Sequence, residues 1–169
     1  MSMPVAEFTA LIGREVTYTA PEPLGRAAIR YFAVAVGDDN PLYTDETYAR
    51  AHGYAGVIAP PTLICETNQF TGLPRDDDGF AGHNWGIEVP GTSLVRGGNT
   101  YEFHQPTRPA DIITAAWRIV DVETKGGKLF VRSRATYRNQ HGALLATNDE
   151  TLIYVPLAAA NPRQTPEAK

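Results

Sequence analysis

The segment Gly37–Tyr43, which reads Gly-Asp-Asp-Asn-Pro-Leu-Tyr, contains the side chains best suited to chemistry. A carboxylate such as Asp38 can accept a proton or hold a water molecule, and the Tyr43 hydroxyl can donate a hydrogen bond. Asn40 precedes a proline, which is typical of a tight turn capped by the amide oxygen. The segment therefore predicts either an ordinary turn or a loop that performs acid–base chemistry.

Two predicted helices flank this segment and would fix its position. Apolar residues at 29, 32, 33 and 36 have helical spacing, so they predict an amphipathic helix that ends at Gly37. The stretch 44–52 predicts a shorter helix, with Thr44 or Asp45 as its N-cap.

A third helix is predicted from Pro60 to Gly72, because proline is favoured in the first turn of a helix. Its thiol, Cys65, has apolar neighbours, which favour a buried structural role over a nucleophilic one. The stretch 73–83 contains a proline, three consecutive aspartates and two glycines, and it predicts a long loop.

After Gly91 the pattern changes to an alternation of period two, which predicts β-strands. Four long strands are expected near 94–104, 112–123, 128–139 and 143–155, and shorter elements precede them, a helix at 5–12 and a strand at 15–19. Helices first and an antiparallel meander second indicate an α+β fold.

The stretch from Gly37 to Thr62, GDDNPLYTDETYARAHGYAGVIAPPT, resembles the signature region of the MaoC-like family of (R)-specific enoyl-CoA hydratases and 3-hydroxyacyl dehydratases. In that family G-D-x-N-P-[LIV]-H precedes a short helix and then a central helix. The resemblance extends from about Gly13 to Tyr154, and the strand region is similar to the family's N-terminal-type domains. It implies one hot-dog domain over residues 1–160, an antiparallel sheet wrapped around a central helix, followed by a polar tail at 161–169.

The resemblance also implies a reaction, the reversible addition of water to a trans-2-enoyl thioester. Asp38 matches the family's acid, or water ligand, and Asn40 would fix the loop. Tyr43 stands where the family's catalytic His is expected. A phenol with an ordinary pKa near 10 is a poor base at neutral pH, about three and a half units above an imidazole, so Tyr43 is interpreted as a hydrogen-bond donor.

Further positions are expected to bind substrate. The family's oxyanion donor is a backbone N–H near the start of the central helix, but Pro61 has none, so the amide of Thr62 or Leu63 would replace it. His83 would approach the acyl or pantetheine group from its loop. Gly97 and Gly98 would let the backbone approach a ligand closely. Arginines at 96, 108, 118, 132, 134 and 138 would hold coenzyme A phosphates if they converged.

Four functional hypotheses remain open from the sequence. The chain is an active homodimer with an atypical residue, or the non-catalytic half of a heterodimer whose second hot-dog subunit carries Asp and His, or a hot-dog thioesterase, or a protein that binds acyl thioesters without turnover. No cofactor is expected, since coenzyme A or an acyl carrier protein would enter as the thiol of the substrate. No His pair has the spacing of a metal site.

Composition excludes several other classes of protein. The 169 residues suit one domain, and the net charge of −4 disfavours nucleic acid as a partner. The single cysteine cannot form an internal disulfide, which favours a reducing cytoplasm. No charged segment followed by an apolar run opens the sequence, and no stretch is long enough to span a membrane. A cytoplasmic protein without a membrane partner is expected.

Overall fold

The computed structural model describes residues 5–66, 68–75, 77 and 82–157. The helices are α1 (Val5–Thr9), α2 (Arg26–Val36) and α3 (Glu46–Ala51), and the strands are β1 (Glu15–Thr19), β2 (Thr92–Phe103), β3 (Thr114–Lys125), β4 (Lys128–Arg138) and β5 (Leu144–Pro156). Short 3-10 turns form at Pro41–Tyr43, Pro61–Glu66 and Asn68–Phe70. The predicted strands all form, with ends within about two residues of those expected. The predicted tail, 161–169, and the domain boundary at 160 lie outside the described residues.

Within the described residues the strands form one antiparallel sheet in the order β1-β3-β4-β5-β2. The β3–β4 turn consists of Gly126 and Gly127, whose φ angles of 58° and 74° suit a tight hairpin. Strands β3, β4 and β5 alternate buried and exposed residues, whereas β2 is an edge strand exposed along most of its length. This is the predicted α+β hot-dog arrangement.

The central segment of the fold differs from its prediction. Instead of one helix from Pro60 to Gly72, the structure has the two 3-10 turns Pro61–Glu66 and Asn68–Phe70. The β-branched Thr62 and Ile64 lower helix propensity, and Leu63 and Ile64 pack into two different apolar clusters, so the segment does not form a regular α-helix. The predicted loop at 73–83 is described only in part, because residues 76 and 78–81 lie outside the described residues.

Two apolar clusters lie on either side of the Pro61–Glu66 turn. The larger, which we call the sheet core, contains Ile64 together with inward-facing residues of β3, β4 and β5. The smaller, the loop core, contains Leu63 together with residues of α2 and the loop that follows it. The adjacent residues Leu63 and Ile64 thus pack into different clusters, and the turn lies between the two clusters.

Candidate functional site

The end of α2 positions Asp38. Gly37 adopts a left-handed conformation with φ of 71°, which glycine tolerates without strain. The next amide, that of Asp38, donates to the Ala33 carbonyl at 2.9 Å. The helix therefore ends as predicted, and the Asp38 carboxylate lies directly after it on the exposed surface.

Short-range hydrogen bonds then close the loop around Asn40. The Asn40 amide donates to Asp38 Oδ1 at 3.2 Å, and Asn40 Oδ1 accepts from the Leu42 amide at 3.1 Å. Asn40 thereby caps the 3-10 turn Pro41–Tyr43. The structure brings the three predicted catalytic residues, Asp38, Asn40 and Tyr43, into one loop.

Tyr43 is buried in the loop core, with 8% of its surface exposed. The side chains of Asp38 and Asn40 lie near enough to its hydroxyl to influence its pKa. Burial raises the pKa of Tyr43, and the negative charge of Asp38 raises it further. The phenol therefore stays protonated at neutral pH, so it does not act as a base.

The start of the central segment contains the expected oxyanion donors. The Leu63 amide already donates to the Pro60 carbonyl at 3.0 Å, and the Leu63 side chain is buried in the loop core. Pro61 has no N–H. Thr62 is exposed in the first turn, where amides have no partner within the turn, so its N–H is the remaining candidate.

His83 lies in a cluster of aromatic rings. Its Nδ1 is 3.0 Å from the Tyr18 hydroxyl, and its ring stacks on Trp117 with centroids 4.4 Å apart and contacts the edge of Trp85. Burial lowers the pKa of His83 to about 4, with Arg14 contributing, so the ring is neutral at physiological pH. This packing fixes the ring against the sheet core.

Gly97 is required by a close approach within the sheet. A Cβ at this position would lie 2.7 Å from Ile153 Cδ1 and 3.2 Å from the Thr151 carbonyl oxygen. A β-bulge occurs between Arg96 and Gly98. At Gly98 a Cβ would meet no atom within 4 Å. The close approach at Gly97 is between β2 and β5, and substrate binding by Gly97 and Gly98 stays a prediction.

The strand arginines do not form an unpaired phosphate site. Carboxylates pair with Arg96, Arg118, Arg132 and Arg134, and Arg138 donates to the Gly142 carbonyl. Within the described part of the chain, no group of three potential metal ligands lies together, and no helix is long and apolar enough to cross a membrane.

A polar cavity beneath the sheet was not predicted. We call it the sheet pocket; its volume is about 80 Å³, and it is lined by residues of β2–β5, Cys65, Phe70, Gly82 and His83. Its side chains include Asn148, which is fully buried, and Glu150, which is 5% exposed. The sequence could have indicated this pocket, because Asn148 and Glu150 occupy alternate inward positions of β5, where apolar residues are usual.

A scan against protein families matches residues 10–148 to the FAS1-like, dehydratase domain region. The match covers most of the chain. This protein belongs to that family of MaoC-like hot-dog dehydratases.

Individual relatives of this dehydratase-family chain agree with the match. A UPF0336 protein of Streptomyces avermitilis is 33% identical over 145 residues, which cover 85% of this chain and 92% of the relative. A crystal structure of the ChsH1-ChsH2 complex from Mycobacterium tuberculosis gives a TM-score of 0.71 at 19% identity, covering 95% of this chain and 96% of that one.

A second solved complex is similar in fold and slightly closer in sequence. It is the C-terminally truncated HadBC (3R-hydroxyacyl-ACP dehydratase) complex of Mycobacterium tuberculosis, with a TM-score of 0.61 at 25% identity, covering 83% of this chain and 96% of that one. Both of these solved structures contain two different named subunits.

Proposed function

We propose that this chain is one subunit of an (R)-specific hydratase or dehydratase acting on enoyl or 3-hydroxyacyl thioesters, and that a second hot-dog subunit supplies the general base. The observation that carries the proposal is that Tyr43, at the position of the family's His, is buried in the loop core beside the charge of Asp38. Asp38 is in place to bind water, but its neighbour at the family's His position is a protonated phenol. One chain therefore has half of the acid–base pair that the reaction requires.

Hydration of an enoyl thioester adds the water oxygen to C3 and a proton to C2. In the proposed complex, Asp38 accepts a hydrogen bond from the water and orients it, while the base of the second subunit removes the water's other proton. The same group, now protonated, then delivers that proton to C2. Tyr43 donates to Asp38 and holds the carboxylate in place, with Asn40 fixing the loop. The Thr62 amide donates to the thioester oxygen, where negative charge develops. Dehydration is the same sequence in reverse.

The edge strand β2 supports the proposal of a second subunit. Among the described residues, only β5 pairs with β2, so one edge of a 12-residue strand is unpaired. The strand also exposes Leu94, Val95 and Phe103, each by more than two fifths of its surface. Such an edge is a template for pairing with a strand of a second subunit, and both solved complexes described above contain two hot-dog chains.

The test compares the purified chain alone with the chain co-expressed with a hot-dog protein that has an intact G-D-x-N-P-L-H motif. The measurement is the loss of the conjugated enoyl absorbance of crotonyl and longer enoyl thioesters. We expect no turnover by the chain alone and turnover by the complex.

Turnover by the isolated chain would contradict the need for a partner and would favour an active homodimer. Release of free thiol from saturated acyl thioesters, detected with a thiol reagent, would show thioesterase activity and overturn the proposal. A complex that forms and consumes no enoyl thioester would do the same.

A further inference from the structure

The sheet pocket is built by two adjacent rows of residues across the sheet. In one row, Trp117 of β3 pairs with Ala135 of β4, which pairs with Asn148 of β5, which pairs with Tyr101 of β2. Ala135 is the smallest side chain of this row, and it leaves space between the indole and the amide. The next row places Ser133 beside Glu150 and Asn99.

Several polar atoms of this pocket are buried without a partner. They are Asn148 Oδ1, Trp117 Nε1 and His83 Nε2, none of which has a hydrogen-bond partner among the described residues. Unsatisfied buried polar groups destabilise a fold, so each needs an explanation. All three belong to residues that line the same cavity.

The remaining polar groups of the pocket are held in fixed positions. Asn148 Nδ2 donates to Asn99 Oδ1 at 3.1 Å, and Arg96 Nε lies 3.0 Å from Glu150 Oε1. Burial raises the pKa of Tyr101 and that of Tyr137, so both hydroxyls stay protonated. The pocket therefore offers a fixed acceptor at Asn148 and a fixed donor at Trp117.

We propose that the sheet pocket binds an uncharged hydroxyl or carboxamide group on the acyl part of the thioester substrate. Such a group donates to Asn148 Oδ1 and accepts from Trp117 Nε1 simultaneously. An unsubstituted alkyl chain in the same place would leave both atoms unsatisfied. The inference rests on the proposed function, and it adds that the preferred substrates carry a polar group away from the thioester.

The central segment sets the distance between the two ends of such a substrate. Thr62, the candidate oxyanion donor, and Cys65, which lines the pocket, are three residues apart on one 3-10 turn. At about 2 Å of rise per residue, they are separated by roughly 6 Å along the segment. The polar group therefore lies several bonds from the reacting carbonyl.

The experiment measures binding to the full chain, with a ladder of saturated acyl-pantetheine thioesters, each made unsubstituted and with a terminal hydroxyl. Saturated thioesters cannot be hydrated, so binding is independent of turnover. We expect the hydroxyl form to bind roughly tenfold more tightly at one chain length, as two neutral hydrogen bonds imply. An equal or weaker affinity at every length would overturn the inference and show that the pocket holds water only.

Two tryptophan variants provide a matched comparison. Trp117→Phe removes an N–H that has no partner, and it should abolish the preference for the hydroxyl form with little loss of stability. Trp85→Phe removes the 2.8 Å hydrogen bond from Nε1 to Ser133 Oγ, so it should lower stability and keep the preference. Asn148→Leu should also abolish the preference. If the preference survives in both Trp117→Phe and Asn148→Leu, the pocket is not its source.

These outcomes separate the inference from the proposed function. Enoyl turnover by the complex without a hydroxyl preference removes the inference alone. Failure of the chain to bind any thioester in the ladder, with no turnover by the complex, removes both.

Discussion

The Asp38 loop and the sheet pocket satisfy their polar groups in opposite ways. In the loop, Asp38 and Asn40 bond to backbone amides two residues away, and the carboxylate remains exposed. In the pocket, Asn148 and Glu150 are buried, and their partners on β2 are about fifty residues away in the sequence.

This difference separates two tasks. An exposed carboxylate in a short, internally bonded loop suits a small reactant such as water, which exchanges with solvent. Buried polar atoms at fixed separations suit recognition, because an ill-matched ligand leaves them unsatisfied. The loop would then determine the reaction and the pocket the choice of substrate, and the following variants test this division.

Asp38→Asn should have the largest effect. In the active complex it should lower kcat by about 100-fold, the usual cost of misplacing a reactant in the site. The matched control is Asp39→Asn, which changes an exposed neighbouring carboxylate outside the proposed site. Initial rates of enoyl consumption measure both, and equal rates for the two variants would remove the loop from the mechanism.

His83 should make stability depend on pH. Its pKa is about 4 in the folded chain and near 6.5 when unfolded, so between these values the unfolded chain binds more protons. The free energy of unfolding should therefore fall as the pH drops from 6.5 toward 4, by about 3 kcal/mol from this residue. Urea unfolding at several pH values measures it.

Carboxylates titrate in the same pH range. The test therefore uses the difference in the free energy of unfolding between the wild type and His83→Gln. That difference should shrink with falling pH. His141→Gln, in the exposed β4–β5 turn, serves as the control and should follow the wild type. A constant difference for His83→Gln would show that the ring is not held neutral against the sheet core.

Gly97→Ala should destabilise the packing of β2 against β5. The added methyl must displace Ile153 and would lie close to the Thr151 carbonyl, which typically costs about 1–3 kcal/mol. Gly98→Ala, one residue along the strand, meets no atom within 4 Å and should change stability by less than about 0.5 kcal/mol. Denaturant midpoints of the two variants should differ, and identical midpoints would contradict the close approach of β2 and β5.

Asn40→Ala should have the smallest effect on stability. It removes the cap on the Leu42 amide and should cost about 1 kcal/mol. Asp39→Ala is the control for a side chain in the same loop. Thermal unfolding of both variants checks the prediction, and no difference between them would mean that Asn40 does not hold the loop.

The same contrast explains what the sequence could predict. The loop from Gly37 to Tyr43 is assembled from neighbouring residues, so its motif indicated where the helix ends and where the loop turns. The strands were predicted because alternation along one strand is a local signal. The pocket depends on registers that bring Trp117, Ala135 and Asn148 together from three strands, and no single stretch contains that information.

The central segment and His83 show a second limit of sequence reasoning. Proline at the start of the central segment indicated a helix. Instead, a 3-10 turn forms there and places Leu63 and Ile64 in different clusters. His83 was expected to act from a loop; it lies in one, its ring is stacked on Trp117, and its role toward a substrate stays a prediction. Tertiary contacts decide such cases, and they override local propensity.

The unpaired edge of β2 also affects the solubility of the newly made chain. A 12-residue strand with an unpaired edge and exposed apolar side chains pairs readily with copies of itself when no other strand covers it. In the proposed heterodimer, a cell that makes this subunit in excess would accumulate self-associating chains. Balanced production of the two subunits would then protect solubility, and the measured melting temperature would rise with partner concentration.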